Sequence, residues 1–243
     1  MNSLNILIHA DSGHGKSWLA ATAPGPILYI DVEGRSDYIR GSKVKWDPKK
    51  DIPAESDNAD IITVVDLQKY QAMELVMQWL SSGKHPFKSV VIDSITELQE
   101  RMMDSLVGAE LPQQEHWGAL LREMKRLIIR LKDLRRHPKN PILALVLVTG
   151  TQEKNNKQRA LLQGQLATKI AYLVDVIGYL VRSVTDGTEI RKLYIKPYGP
   201  YEAKDNTDIL SRHYGAVIDD PNISEMVRVL NQQTEKEETN GNV

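Results

Sequence analysis

The sequence predicts an α/β protein with a mostly parallel central sheet and helices on both faces. Short apolar runs rich in Ile, Val and Leu are typical of strands that are buried on both faces of a parallel sheet. These runs alternate with longer segments of helical character, which favours a doubly wound arrangement. The chain has 243 residues, 41% of them hydrophobic, and is long enough to enclose one sizeable core.

The expected elements follow one another in a strand-helix order. The candidate strands of the sheet are residues 4–9, 27–30, 61–65, 89–92 and 142–148. The helices expected between them are residues 16–22, 67–81, 95–107 and 115–136. Two later strands, 174–182 and 189–196, flank a Thr-Asp-Gly-Thr segment whose Asp-Gly pair predicts a hairpin. The charged segment 41–60 contains two prolines and is expected to be a surface excursion.

One domain is expected to span residues 1–230, ending in a short helix at residues 223–230. The following segment, 231–243, has almost no apolar residues and carries three glutamates. A chain of this composition cannot bury enough apolar surface to order itself. The sequence therefore predicts a disordered polar tail.

The predicted helix at residues 120–136 is amphipathic. Its apolar residues have the spacing of one buried face and are Leu120, Met124, Leu127, Leu131 and Leu134. Its opposite side is basic and carries Arg122, Lys125, Arg126, Arg130, Lys132, Arg135 and Arg136. Most such faces are simply solvated. A subunit boundary or a DNA path are the alternatives.

Composition excludes several classes of site. The formal net charge is −1, so any nucleic-acid binding must come from a local basic patch. The absence of cysteine excludes disulfides, thiolate nucleophiles and cysteine-ligated zinc, and it fits a reducing compartment. There is no secretion signal, and no apolar run has the length of a membrane span. A cytoplasmic protein without a membrane partner is expected.

A glycine-spaced motif follows the first candidate strand. The residues Ala10-Asp11-Ser12-Gly13-His14-Gly15-Lys16-Ser17 nearly fit the phosphate-loop pattern Gly-x4-Gly-Lys-Ser/Thr, with alanine in place of the first glycine. Glycine permits the positive φ angles that let successive backbone N–H groups converge on phosphate oxygens. In such a loop the lysine reaches the β- and γ-phosphates and the serine hydroxyl binds Mg²⁺. An incidental strand-to-helix turn is the alternative.

This motif defines the candidate nucleotide-binding residues. They are Asp11, Ser12, Gly13, His14, Gly15, Lys16, Ser17 and Trp18, with Ser17 also a metal ligand.

A second motif is the apolar strand that ends in Asp93-Ser94. In phosphate-loop NTPases an aspartate of this kind lies beside the first strand and holds Mg²⁺, often through water. Asp93 or Ser94 could instead cap the helix that follows. Both roles are compatible with the sequence.

A third motif, Asp31-Val32-Glu33, ends the second candidate strand on the side where parallel sheets bind ligands. A carboxylate near the γ-phosphate can orient and polarise the attacking water. A loop glutamate in solvent is the alternative, and position alone leaves the two open.

Two stretches carry a family resemblance. The sequences ILYIDVEGR and SVVIDSITEL resemble the ATPase core of RecA-type recombinases, and the segments VDVIGYLVR and AKDNTD extend the similarity to about Asp208. The nearest likeness is to short phage-encoded proteins built from this core alone, some of which anneal single strands. The resemblance implies a RecA-like P-loop NTPase core that uses ATP and Mg²⁺. It implies that Glu33 is the catalytic base and that Asp93 binds the metal.

The same resemblance implies further roles beyond the phosphate loop. A polar residue at the end of the 142–148 strand would sense the γ-phosphate, and Gln152 is the candidate, with Thr149 behind it. Glu33, Lys16 and Gln152 are thus the expected catalytic residues. The loop 153–159 carries three cations against one anion and would contact single-stranded DNA. It has no aromatic residue for base stacking, and a solvated charged loop is the alternative. Lys196 or Lys204 would complete a neighbouring subunit's site.

The functional expectation is a phage recombination ATPase that binds or anneals single-stranded DNA. It would act as a homo-oligomer in the host cytoplasm, with phage replication or recombination proteins as possible partners. The alternatives are a loader or motor ATPase acting on a protein such as a helicase, and a nucleotide-binding regulatory module with little hydrolysis.

Overall fold

The computed structural model describes residues 2–53, 58–185 and 187–240. The strands of this part of the chain are β1 (Leu4–His9), β2 (Ile27–Asp31), β3 (Ser42–Lys45), β4 (Ile61–Asp66), β5 (Ser89–Asp93), β6 (Ala144–Thr149), β7 (Thr151–Lys154), β8 (Lys157–Ala160), β9 (Val176–Thr185), β10 (Thr188–Tyr194), β11 (Lys204–Asp205) and β12 (Val217–Asp219). Its α-helices are α1 (Lys16–Ala20), α2 (Gln71–Ser82), α3 (Ile95–Val107), α4 (Gln114–Asp133), α5 (Leu166–Leu173), α6 (Ile209–Tyr214) and α7 (Ile223–Asn240). Every strand and helix predicted from the sequence is present, with shifted boundaries for most of them.

One large sheet organises the molecule. Its strand order is β12-β10-β9-β1-β6-β5-β2-β4-β3, and the short β11 pairs with β9. From β9 to β3 along this order all neighbours are parallel. The strands β10, β11 and β12 pair with their neighbours in antiparallel fashion, and β9 and β10 form the predicted hairpin. The mostly parallel sheet is confirmed.

The position of β5 corrects one expectation. Asp93 was expected on a strand beside β1, but β6 lies between β1 and β5. The other neighbour of β5 is β2, and Asp31 stands opposite Asp93 in their register. The ends of β1, β6, β5 and β2 therefore form one row at the same edge of the sheet. The strand inserted between the two predicted motifs contributes Thr149 to this row.

Side-chain alternation along the strands divides the core into two layers. Leu7 and Ile92 belong to the layer covered by α2, α3, α4 and α5, which includes the predicted apolar face of α4. Ile8 and Val91 belong to the layer covered by α1, α6 and α7. All four side chains are fully buried. Helices on both faces of the sheet are thus confirmed.

The segment 41–60 contains a strand that the sequence did not predict. All four residues of β3 are exposed, so no apolar alternation marks it. The strand forms because it pairs with β4 at the edge of the sheet. Its two lysines discourage pairing of this edge with another chain. Residues 54–57 of the predicted excursion lie outside the described residues.

The last helix is longer than the sequence predicts. Its first turns are held by the buried side chains of Ile223, Met226 and Leu230. The backbone then continues as helix to Asn240, through most of the segment predicted to be a disordered tail. Gln, Glu and Lys are good helix formers, so a polar composition is compatible with this continuation. Residues 241–243 of the predicted tail, and Asp186 of the predicted hairpin turn, lie outside the described residues.

Within the described ranges, no helix has both the length and the apolar character that crossing a membrane requires.

Candidate nucleotide-binding site

The loop between β1 and α1 has the backbone conformation that phosphate binding requires. Gly13 and Gly15 have φ angles of 82° and 88°, in the left-handed region that glycine adopts without strain. Ala10, which replaces the first glycine of the motif, is fully buried and is not among the described residues with positive φ. A small side chain is therefore sufficient at this position, and the departure from the motif leaves the loop intact.

A cavity of about 540 Å³ lies over this loop at the carboxyl edge of the parallel strands. Such a volume is typical of small-ligand sites. The lining residues are Ala10, Asp11, Ser12, Gly13, Gly15, Lys16, Ser17, Glu33, Arg35, Asp93, Ser94, Thr96, Glu97, Gly150, Thr151 and Leu161. Lys16, Glu33 and Asp93 are distant in the sequence, and the fold brings them into this one cavity.

Lys16 is held by neutral oxygen atoms. Its ammonium donates hydrogen bonds to the backbone carbonyls of Ala10 and Asp11, each at 3.0 Å. Burial lowers the pKa of Lys16, and the nearby carboxylates of Asp93 and Glu33 oppose that shift. A partly buried cation that is bonded to carbonyls rather than to a carboxylate is available to an incoming anion.

Tyr29 on β2 joins the two candidate metal ligands. Its hydroxyl donates a hydrogen bond to Asp93 Oδ2, and the Ser17 hydroxyl also donates to the Asp93 carboxylate. Burial raises the pKa of Asp93, whereas the hydrogen bonds from Ser17 and Tyr29 lower it. Burial also raises the pKa of Tyr29, so the phenol stays protonated and can donate. The sequence did not single out Tyr29, because a tyrosine inside an apolar run resembles a core residue.

Asp31 shapes the loop that carries Glu33. The Asp31 carboxylate accepts hydrogen bonds from the backbone N–H groups of residues 34–36, at distances from 2.7 to 3.1 Å. Glu33 lies at the cavity wall with its side chain 35% exposed, and its carboxylate is 3.7 Å from Arg35. Asp31 therefore stabilises the turn, whereas Glu33 faces the cavity.

Of the two residues considered as the cap of α3, Ser94 takes that role. The Ser94 hydroxyl caps α3 by accepting a hydrogen bond from the backbone N–H of Glu97 at 3.3 Å. Asp93 lines the cavity. The peptide bond that joins them is cis.

A comparison with protein families finds a matching model. It is described as an AAA domain and matches residues 2–207. The chain belongs to the AAA domain family. The matched range includes the phosphate loop, the ends of β2 and β5, and the hairpin that follows β6. A comparison with curated proteins finds no match. Membership of this family supports the assignment of the chain to the P-loop ATPases. The resemblance to phage annealing proteins stays a prediction.

In this AAA domain the segment after β6 reaches the cavity through Gly150 and Thr151. The Gln152 side-chain amide instead donates hydrogen bonds to the backbone carbonyls of Ala160 at 2.9 Å and Leu162 at 3.1 Å. Thr149 is buried and bonds to the hydroxyl of Thr96 at 2.8 Å. The sensor role of Gln152 stays a prediction, and the two residues before it, Gly150 and Thr151, line the cavity.

Two of the predicted nucleotide-binding residues, His14 and Trp18, are not among the residues that line the cavity. The His14 ring nitrogen Nδ1 lies 3.2 Å from the carbonyl oxygen of Leu180. The guanidinium carbon of Arg191 lies 4.3 Å from the centre of the Trp18 ring. The other predicted residues of the phosphate loop, from Asp11 to Ser17, line the cavity. Sequence reasoning did not identify Arg191, because a single arginine in a late strand carries no motif.

The cavity of the AAA domain fits a nucleoside triphosphate with Mg²⁺. The loop amides and Lys16 supply donors for phosphate oxygens. Within the part of the chain that the structure describes, no group of three or more histidine or acidic side chains could hold a metal on its own. Mg²⁺ is commonly held by one or two carboxylates together with substrate phosphates and water. Ser17 and Asp93 would hold it here.

The basic loop predicted at residues 153–159 forms most of the β7–β8 hairpin. Asn155 and Asn156 make its turn with φ angles of 54° and 56°, as a type I′ turn requires. Lys154 and Lys157 flank the turn and are exposed, whereas Arg159 is half-buried.

The hairpin is joined to a tyrosine-containing turn. The backbone N–H of Gln158 donates to the carbonyl of Pro200 at 2.8 Å. Tyr198, in the same turn, is 55% exposed and stacks on Tyr194 with their ring centres 4.6 Å apart. The fold therefore places an aromatic ring near a loop that has none of its own.

The basic face of α4 is partly neutralised by neighbouring carboxylates. Its ion pairs are Arg126 with Glu123, Arg130 with Glu74, and Lys132 and Arg135 with Asp175. This pairing fits the solvated interpretation of the face better than a DNA path.

The two lysines considered for action on a neighbouring subunit differ in their surroundings. Lys204 donates hydrogen bonds to the backbone carbonyls of Ala171 and Val174 at the end of α5. Lys196 is exposed. Of the two, only Lys196 presents its side chain to solvent, and its role stays a prediction.

Proposed function

We propose that this AAA domain is a Mg²⁺-dependent ATPase whose turnover is coupled to single-stranded DNA in phage recombination. The observation that supports hydrolysis is the shared cavity of Lys16, Asp93 and Glu33. Lys16 and the loop amides bind the β- and γ-phosphates. Ser17 and Asp93 hold the metal, which supplies charge neutralisation at the phosphates. Glu33 orients a water molecule and accepts its proton.

The hairpin supports the coupling to DNA. Thr151 at the base of β7 lines the cavity, while Lys154 and Lys157 lie exposed at the tip. The lysines bind phosphates without reading sequence. Tyr198 offers a ring for base stacking, which single-strand binders commonly use. A strand bound at the tip and a nucleotide bound at the base therefore contact the same short element.

The ATPase assignment is tested with two matched variants. Glu33→Gln should bind ATP as the wild type does and hydrolyse it more slowly by a factor on the order of 10². Lys16→Ala should lose ATP binding. Binding is measured by calorimetry and turnover by phosphate release. Wild-type turnover in Glu33→Gln would remove this residue from the mechanism, and unchanged affinity in Lys16→Ala would contradict the phosphate-loop assignment.

The DNA assignment is tested by measuring turnover of the purified protein with and without single-stranded DNA. Stimulation by the strand alone supports the proposal. Turnover that rises only when a helicase or another protein partner is added would indicate a loader or motor. ATP binding with negligible hydrolysis under all conditions would indicate a regulatory module. The same samples, analysed by sedimentation, test whether subunits assemble on the DNA.

A further inference from the structure

Arg191 on β10 packs against the phosphate loop from outside the cavity. A Cβ atom placed on Gly15 would lie 2.6 Å from Arg191 Nε, so the arginine occupies the space that any larger residue would need. Its guanidinium carbon also lies 4.3 Å from the centre of the Trp18 ring. Arg191 therefore touches both a glycine that lines the cavity and the residue that follows Ser17.

The guanidinium is incompletely partnered. Arg191 Nε is buried and has no hydrogen-bond partner. Its terminal nitrogen lies 3.3 Å from Glu189, and that carboxylate also pairs with Arg182. A buried donor without an acceptor is unfavourable. One carboxylate shared by two arginines leaves positive charge beside the loop, and the Arg191 side chain is 26% exposed beyond its buried Nε.

The strand order indicates which part of a nucleotide would meet Arg191. β9 and β10 lie on one side of β1, whereas β6, β5 and β2 lie on the other. The terminal phosphate must lie on the second side, because Glu33 and Asp93 end β2 and β5. A triphosphate that lies along the loop therefore directs its nucleoside towards β9 and β10. Arg191 and Trp18 lie on that side.

We propose that Arg191, supported by Trp18, binds the nucleoside part of the nucleotide. This inference rests on the proposed nucleotide binding and adds the residues that hold the sugar and base. The planar guanidinium lies against the base, as arginine does in other nucleobase sites, and its terminal nitrogens donate to a sugar or base acceptor. Arg191 is thus a binding residue outside the phosphate motif.

The test compares ATP with tripolyphosphate, which has the phosphates and lacks the nucleoside. Arg191→Ala should weaken ATP binding about tenfold and leave tripolyphosphate binding unchanged. Unchanged tripolyphosphate binding also shows that the loop is intact in the variant. Arg191→Lys should weaken ATP binding in the same direction, because lysine lacks the planar group. It serves as the second variant if the alanine protein does not fold.

Lys192→Ala is the matched control, because Lys192 is the next residue of β10 and pairs with Asp219 at 3.6 Å. It should bind both ligands as the wild type does. An equal loss of ATP and tripolyphosphate binding in the Arg191 variants would mean that Arg191 only supports the loop, and no loss would remove it from the site. Both results overturn the inference and leave the proposed function standing. A wild-type protein that binds neither ligand would overturn both.

Discussion

At the scale of single residues, neighbours decide what identical side chains do. Asp31 and Asp93 end adjacent strands and stand opposite each other in register. Asp31 accepts three backbone hydrogen bonds and is committed to the turn. Asp93 instead receives hydroxyl groups and faces the cavity. Both are aspartates at strand ends in the sequence, and only their partners separate the residue that forms the turn from the candidate metal ligand.

The first prediction concerns Tyr29→Phe. The variant removes a hydrogen bond that holds Asp93 ionised, so the pKa of Asp93 should rise further above its usual value. Asp93 must be ionised to hold Mg²⁺, so the Mg²⁺ concentration that gives half-maximal turnover should rise, most strongly at acidic pH. Unfolding free energy should fall by about 1.5 kcal/mol. Turnover is measured against Mg²⁺ concentration at several pH values.

Tyr38→Phe is the control for this prediction, because Tyr38 is 88% exposed. It should behave as the wild type in turnover and in unfolding. If Tyr29→Phe shows the same Mg²⁺ dependence as the control at every pH, Tyr29 does not support the metal site.

At the scale of elements, the hairpin shows how tertiary structure alters the interpretation of a loop. Its sequence reads as a charged connection, because four-residue strands of mixed polarity have no recognisable period. In the structure both strands pair, and Gln158 joins them to the turn that carries Tyr198. The basic residues are therefore presented on a defined element whose base lies at the cavity.

The element-scale prediction reverses the charges of the hairpin. Glutamate at Lys154, Lys157 and Arg159 should weaken single-stranded DNA binding and reduce the slope of affinity against salt, because fewer counterions are released. A variant limited to Lys154 and Lys157 avoids disturbing the half-buried Arg159. Fluorescence anisotropy over a range of salt concentrations measures both effects.

The matched control reverses three exposed lysines elsewhere, Lys49, Lys84 and Lys139, with the same change in net charge. Lys84 and Lys139 precede β5 and β6 and so lie at the opposite edge of the sheet. Equal losses of DNA affinity in the two triple variants would show a general charge effect and would move the DNA site away from the hairpin.

At the scale of the whole molecule, two buried histidines link stability to pH. Burial lowers the pKa of His9 and of His85 from 6.5 to about 4. His85 Nε2 is buried without a partner, so a proton added there would meet no acceptor. The folded state favours neutral imidazoles, while the unfolded state takes up protons near pH 6.5. Stability is therefore complete above that pH and falls as the pH drops towards 4.

The whole-molecule prediction is that the unfolding free energy decreases between pH 6.5 and pH 4, by on the order of 2 kcal/mol for each histidine. Denaturant titrations at several pH values measure the decrease. His85→Gln should show a shallower decrease than the wild type. His213→Gln, at an exposed position, should follow the wild-type curve. Parallel curves for all three proteins would contradict the contribution of His85.

The strand order is also a property of the whole molecule, and the sequence could not supply it. Apolar runs marked β1, β2, β4, β5 and β6 correctly, because strands buried on both faces are continuously hydrophobic. They do not state which strand lies beside which. The insertion of β6 between β1 and β5 was contrary to expectation. β3 was missed because all its residues are exposed at an edge.

The sequence by itself determined the α/β class, the phosphate loop and the candidate residues Lys16, Ser17, Glu33 and Asp93. The phosphate loop is recognisable because loop geometry and phosphate chemistry require particular residue types at short, contiguous spacings. Glu33 was singled out as the catalytic base through the resemblance to RecA-type ATPase cores. The tertiary structure alone decided that these residues share one cavity and that Tyr29, Thr151 and Arg191 surround them. Those residues come from separate strands, and contacts between distant segments depend on strand order and register, which no local pattern encodes.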